Sequence, residues 1–335
     1  MGQMRILLAL GVVLVHLPWI SNSTGFLGGA YVEAFVCASG FFIAMVLSNQ
    51  NTKNIKFFAS RALRIFPIYY IVLVPVALLK FGFFGSYKKE FNKLSFEEKI
   101  LAITTNITLI GSDWAHLIRL DSEKVIYLDR FLIIPPSWSL GMELGFYFVS
   151  IYLINRSTKF LCILLIIFLL YRLFIEKLLM EYFNLVHERP TTFAMFSVYL
   201  IGFIMYKEIR HKQKFKQRGS NLVRFAILPV FIVTFVLATN YSLPYLAEVA
   251  LLVSQVLVAS FLVEHNNFEN KLSSYSYPLY IVHFPLIEGF WFFSKTFNQL
   301  HPNILPMLSI ISCLIAAIFL TKITSGIEKR RKKLI

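Results

Sequence analysis

The segment that decides the fold is the first apolar run, MRILLALGVVLVHLPWI, residues 4–20. It is about as long as a membrane-crossing helix must be, yet it contains Arg5 and His16. These two positions differ by eleven residues (16 minus 5). At about 100° per residue they share one helix face, roughly 16 Å apart along the axis. A cation and an imidazole are costly at membrane depth, so the pair predicts a functional site.

The composition extends this prediction to the whole chain. Of 335 residues, 57% are hydrophobic and 15% are charged, and the mean hydropathy is +0.66. The apolar runs are long and continuous, which favours helices and excludes a soluble domain or a β-barrel. We therefore predict an all-α, polytopic integral membrane protein with a single transmembrane domain, residues 1–335. The ten predicted crossings are 4–20, 31–49, 62–84, 137–154, 159–175, 191–207, 222–239, 243–263, 274–294 and 303–324.

Loop charge predicts the orientation. The most basic stretches are 50–61, 207–218 and the tail 328–335, and the positive-inside rule places basic loops in the cytoplasm. Ten crossings satisfy this for all three stretches, with the N- and C-termini both cytoplasmic. An eleventh run, 98–112, is short and rich in Thr and Asn, so it is predicted to be a re-entrant or interfacial segment on the outer side.

Three further properties of the sequence bear on the class of protein: its net charge, its first apolar run and its cysteines. The formal net charge of +15 is concentrated in these loops and the tail, which indicates contact with membrane lipids and not with nucleic acid. The first run also resembles a signal peptide, but cleavage would remove His16, so we predict an uncleaved helix. Cys37, Cys162 and Cys313 lack the spacing of a disulfide framework or a metal site, and no metal is predicted.

The predicted topology groups the polar side chains into two layers. The inner layer contains Arg5, with Arg61 and Arg64 at the start of the third crossing. Arg61 and Arg64 are three residues apart on one face and are suited to bind a phosphate-bearing ligand, although ordinary anchoring charges would look the same.

The outer layer contains His16, Glu33 and Glu143. A carboxylate beside an imidazole fixes its tautomer and raises its basicity, as a general base for a hydroxyl requires. A structural histidine is the alternative. Later in the chain, Ser276, Tyr280 and His283 form a polar stripe at helical spacing, which is either part of a site or a polar seam between helices.

Several motifs occur in an order that resembles a known family. They are Arg5 and His16 with ten residues between them, VEAFVCASGFFIA, RALRIFPIYY, PPSWSLGMELGFYF and YSYPLYIVHFPL. Together they resemble the bacterial acyltransferase-3 family of membrane O-acyltransferases, in the stand-alone form without a fused hydrolase-like domain. The resemblance implies transfer of an acyl group, usually acetyl from acetyl-CoA, to a hydroxyl of a cell-envelope glycan or lipid-linked sugar. The expected location is the bacterial inner membrane.

The resemblance also implies residue roles. It makes His16 the catalytic base, with Glu33 and Glu143 as the acidic residues of the site. Arg5, Arg61 and Arg64 would bind the acyl-CoA donor. The supporting or substrate-binding residues would be Trp138, Ser139, Tyr280 and His283.

Other functions remain open on the sequence alone. A transporter or flippase for a glycan or anion would also place polar residues in the membrane, although no paired halves with broken helices are visible. A structural or sensor protein would leave the two polar layers unexplained. The acceptor, the choice between acetyl and succinyl, an acyl-histidine relay and the oligomeric state are not decided by the sequence.

Overall fold

A computed structural model describes residues 2–17, 27–48, 54–83, 85–120, 126–176, 178, 191–211, 253, 267–297 and 304–334. The helices are α1 (Gly2–Val15), α2 (Leu27–Ser48), α3 (Asn54–Gly82), α4 (Gly85–Lys93), α5 (Phe96–Thr108), α6 (Trp138–Leu153), α7 (Thr158–Leu170), α8 (Thr192–His211), α9 (Asn267–Phe297), α10 (Leu305–Ile323) and α11 (Ser325–Lys332). A π-helical turn, Tyr171–Ile175, continues α7. Two-residue strands β1 (Arg119–Leu120) and β2 (Ile126–Tyr127) pair antiparallel before the turns that lead into α6.

The helical membrane class is confirmed. Each predicted crossing within the described residues coincides with a helix, whereas 222–239 and 243–263 lie outside them apart from Val253. Among the described helices, four are long and apolar enough to cross a membrane: α2, α3, α7 with its π turn, and α10. The full number of ten crossings and the orientation of the termini stay predictions.

Helix boundaries extend beyond the apolar runs that predicted them. α3 begins at Asn54 instead of 62, and α9 covers Asn267–Phe297 instead of 274–294. Hydropathy marks only the part of a helix suited to lipid, while its hydrogen bonds continue into polar sequence. For the same reason much of the basic tail 328–335 is helical, as α11.

The segment 98–112 forms a short helix and a turn. α5 begins with a capping box between Ser95 and Glu98 and ends at Leu109, which has a left-handed backbone conformation. Its 13 residues correspond to roughly 20 Å, too short to cross the hydrocarbon core. Phe96, Ile100, Ile103 and Ile107 are exposed apolar side chains on this helix. Its interfacial position stays a prediction.

The tightest helix contact joins α2 and α8. A Cβ atom at Gly202 would collide with the carbonyl oxygen of Cys37, and one at Gly40 would collide with that of Tyr199. Because both glycines lack side chains, the two backbones meet directly, as small residues allow between membrane helices.

The first and ninth helices run parallel. The amides of Gly2 and Gln3, at the start of α1, donate hydrogen bonds to the carboxylate of Glu269 near the start of α9, at 2.5 and 3.2 Å. Just past the end of α1, His16 lies beside His283 of α9, with ring centroids 5.0 Å apart. The two helices therefore hold their polar residues at matching depths.

Candidate active site

A cavity of about 550 Å³ opens at one end of the bundle, which we call the cavity end. Three of its lining residues are the arginines of the predicted inner layer, Arg5 from α1 and Arg61 and Arg64 from α3. The wall is completed from α9, α10 and α11 by residues that include Lys271, Tyr277, Thr321, Lys329, Arg331 and Lys332. The structure thus brings the three arginines together in the wall of one cavity.

Arg5 is held between aromatic rings. Its guanidinium lies 5.2 Å from the ring centre of Phe35 and 5.1 Å from that of Phe42, both on α2. Only 5% of the residue is exposed, and its Nε has no hydrogen-bond partner among the described residues. The rings orient the planar cation by cation–π attraction but leave its N–H donors for another acceptor.

Arg61 has the same kind of environment. It is 2% exposed and lies 5.4 Å from the ring centre of Phe57 and 5.8 Å from that of Tyr147. Within the described part of the chain, its Nε and Nη2 have no hydrogen-bond partner. A buried guanidinium without acceptors is costly, so these donors indicate a place for an anionic ligand.

A pair of imidazoles lies along α1 and α9 away from the cavity. Nδ1 of His16 is 2.8 Å from the carbonyl oxygen of Val12, and Nδ1 of His283 is 2.6 Å from that of Tyr280. A carbonyl oxygen only accepts, so each Nδ1 carries a proton, and Nε2 is the acceptor when the ring is neutral. His283 is completely buried, and its Nε2 lacks a hydrogen-bond partner among the described residues.

A second, small cavity of about 30 Å³ lies between these two regions. It is bordered by Ser139 and Glu143 of α6 and by Tyr277 and Tyr280 of α9. The hydroxyl groups of Ser139 and Tyr280 are 2.8 Å apart. Tyr277 also lines the large cavity, so one side chain separates the two spaces.

Two other predicted residues belong to α6. Glu143 is half-buried and accepts a hydrogen bond of 2.5 Å from the hydroxyl of Tyr147, the ring that also faces Arg61. Trp138 begins α6 directly after the Pro135–Ser137 turn and is 9% exposed. α6 therefore connects the histidine region to the arginine cavity.

Basic segments gather at the cavity end. Lys207, near the end of α8, donates to the carbonyl oxygens of Ile154 and Arg156 just after α6. The start of α3 and the whole of α11 lie at the same end, because residues of both line the cavity. In the described part of the chain, no group of three or more His, Cys, Asp or Glu side chains is placed to hold a metal ion.

The chain matches a known protein family over most of its length. A family described as an acyltransferase domain matches residues 1–325. The chain belongs to the acyltransferase-3 family. No curated protein and no solved structure matches it. The predicted resemblance to this family is confirmed, and the protein is a membrane acyltransferase.

Glu33 has a partner in this acyltransferase that the sequence analysis missed. Its two carboxylate oxygens accept hydrogen bonds of 2.6 and 2.7 Å from the two terminal nitrogens of Arg172, in the π turn after α7. The two side chains are 0% and 8% exposed. A single arginine in an apolar run was the available signal, but its helix contains no second motif residue to draw attention to it.

Proposed function

We propose that this acyltransferase is acyl-CoA-dependent and moves an acetyl group from cytoplasmic acetyl-CoA to a hydroxyl of a cell-envelope glycan. One observation carries the proposal. Arg5 lines a cavity of about 550 Å³ together with Arg61 and Arg64, while His16 lies at the other end of the same helix. A phosphate site and a general base are thereby held at a fixed separation.

The donor's phosphates are assigned to the arginine cavity. Arg5 and Arg61 line the cavity and carry N–H groups without a hydrogen-bond partner among the described residues, and Arg64 adds a third guanidinium. Guanidinium forks match phosphate oxygens in charge and geometry. The basic segments at the cavity end favour the cytoplasm under the positive-inside rule, the compartment that supplies acyl-CoA.

The pantetheine arm would extend from this cavity toward His16. The axial distance is roughly 16 Å, which an extended arm covers. Its path passes Tyr277 and the small cavity beside Ser139 and Tyr280. The thioester then meets the imidazole pair while the nucleotide remains among the arginines.

His16 performs the proton transfers. Its Nε2 removes the proton from the acceptor hydroxyl as the oxygen attacks the thioester carbonyl carbon. When the carbon–sulfur bond breaks, the sulfur leaves as thiolate and takes that proton back from the imidazolium, which yields the ester and free CoA thiol. We assign Glu143, which borders the small cavity together with Tyr280, as an acidic residue of the site.

The test of the base uses His16→Gln and His16→Ala in membranes supplied with labelled acetyl-CoA. We expect transfer to fall by roughly 10²–10⁴-fold at unchanged protein abundance, as loss of a general base does. A wild-type rate in either variant would refute the assignment.

The test of the donor site compares two arginines. Arg64→Gln should raise the apparent KM for acetyl-CoA more than that for the acceptor. Arg156→Gln is the matched control, because Arg156 lies at the same end but is exposed and outside the cavity lining. An equal effect of both substitutions would contradict a specific phosphate site.

The acceptor is identified by mass spectrometry of surface glycans with and without the gene. Loss of one acetyl group per modified sugar is the expected result, and loss of a succinyl group would correct the donor. Movement of a glycan without consumption of acyl-CoA would replace the proposal with transport.

A further inference from the structure

The C-terminal helix α11 forms one wall of the arginine cavity. After α10 the chain turns at Thr324 and continues as α11 along the cavity. Its residues Ser325, Glu328, Lys329, Arg331 and Lys332 all line the cavity. The family match ends at residue 325, where this helix begins. From the sequence alone, these positions are predicted only to form a basic tail.

The wall is strongly and asymmetrically charged. Among the described residues that line the cavity, seven are basic and one is acidic: Arg5, Arg61, Arg64, Lys271, Lys329, Arg331 and Lys332 against Glu328. Like charges at this density repel each other unless an anion neutralises them. One phosphate group does not need two separate basic walls, so the arrangement fits a ligand with phosphates at two positions.

Arg331 is held in place by its own helix. Its Nε and Nη2 donate to the two carboxylate oxygens of Glu328, both at 2.6 Å. Burial raises the pKa of Glu328, but the hydrogen bonds and charge of Arg331 outweigh it and keep this pKa below its usual value. Nη1 of Arg331 is not used by this pair, and Lys329 and Lys332 are exposed. These three groups present donors at the mouth of the cavity.

We infer that Lys329, Lys332 and Arg331 bind the 3′-phosphate on the ribose of the acyl-CoA donor, while Arg5, Arg61 and Arg64 bind its diphosphate. The inference rests on the proposed function, because it names the part of the donor that α11 binds. The sites would be used in the order of the groups along the donor. From His16 outward, the thioester would meet the imidazoles and the arm the small cavity, while the two phosphate positions would share the large cavity between the arginines and α11.

The binding experiment uses the purified full chain in nanodiscs of zwitterionic lipid, with CoA and 3′-dephospho-CoA as probes. Wild type should bind CoA roughly 10-fold more tightly than dephospho-CoA, which corresponds to about 1.4 kcal/mol. Lys329→Gln with Lys332→Gln should bring the dissociation constant for CoA to that for dephospho-CoA, and leave the latter within about 2-fold. The control is Arg330→Gln with Lys333→Gln, which removes two charges from the same helical region outside the cavity lining and should retain the preference.

Four results would overturn the inference. Equal losses in the control and the test variant would indicate a general charge effect. Unchanged CoA affinity in the test variant, with loss of stability only in nanodiscs of anionic lipid, would make α11 a lipid-headgroup anchor. Wild type that binds CoA without any preference over dephospho-CoA would remove the 3′-phosphate from the site and leave the proposed function standing. Wild type that binds neither probe would overturn both.

Discussion

The ion pair between Glu33 and Arg172 gives the sharpest prediction. Both side chains are almost fully excluded from solvent and are joined by two hydrogen bonds. Removing one partner takes an opposite charge and two hydrogen bonds away from a buried ionised group, which costs about 3–5 kcal/mol. Arg172→Met and Glu33→Gln should therefore each lower the free energy of unfolding by about that amount, more than a 100-fold change in the folded fraction.

The double variant separates this cost from the value of the pair itself. Glu33→Gln combined with Arg172→Met removes both charges of the pair, so most of the lost stability should return. We expect the sum of the two single losses in free energy of unfolding to exceed the loss in the double variant by at least about 2 kcal/mol. This difference is within the range of directly coupled pairs. The measurement is equilibrium unfolding of all four proteins in the same micelles, followed as a double-mutant cycle.

Activity distinguishes two roles for Glu33. If Glu33 only fixes α2 against the π turn, the double variant should recover transferase activity together with stability. If Glu33 also supports His16, a stable double variant stays impaired in kcat. An Arg172→Met variant as stable as wild type, or additive effects of the two substitutions, would refute the structural argument.

Three other predictions follow from packing, from pH and from the imidazole pair. Gly202→Leu should prevent close contact of α2 and α8, so that no folded protein elutes in size-exclusion chromatography in detergent. Gly145→Leu is the control and should behave as wild type, because a Cβ atom at Gly145 meets nothing within 4 Å. Burial raises the pKa of Asp113, so the folded chain holds this proton more tightly than the unfolded chain does. The contribution of this carboxyl to stability therefore falls as pH rises above the unfolded pKa of about 4, and Asp113→Asn should flatten the pH dependence of unfolding above that value. Equal profiles would contradict this. His283→Gln should lower kcat and shift its pH dependence with little change in donor KM, because this ring contacts that of His16; a change in KM alone would move His283 to substrate binding.

The sequence was sufficient for the parts of the site that lie along one helix. The spacing of Arg5 and His16 depends only on helix geometry, and the matching depth of His283 follows once α1 and α9 run parallel. Arg61 and Arg64 were also recognised from their position at the start of a crossing. In each case local sequence determines which face a side chain occupies.

Contacts between distant segments were not predictable in this way. The partner of Glu33 is 139 residues away, and nothing in a single sequence fixes which helices touch. The basic residues of α11 were interpreted only as a signal that sets membrane orientation, because basic residues after the last crossing normally have that role. Its place over the cavity depends on the turn at Thr324 and on packing against α3, which hydropathy does not encode.

Tyr277 has a consequence for the membrane as a barrier. A protein that brings a water-soluble cofactor to an acceptor from the opposite side risks opening a continuous aqueous path for protons and ions. The Tyr277 ring borders both cavities, and its hydroxyl donates a hydrogen bond of 2.8 Å to the carbonyl oxygen of Ile65 on α3. This side chain thereby closes the bundle where the two spaces meet. Catalysis would then require a narrow acyl arm to pass the Tyr277 ring without opening a path for protons and ions across the membrane.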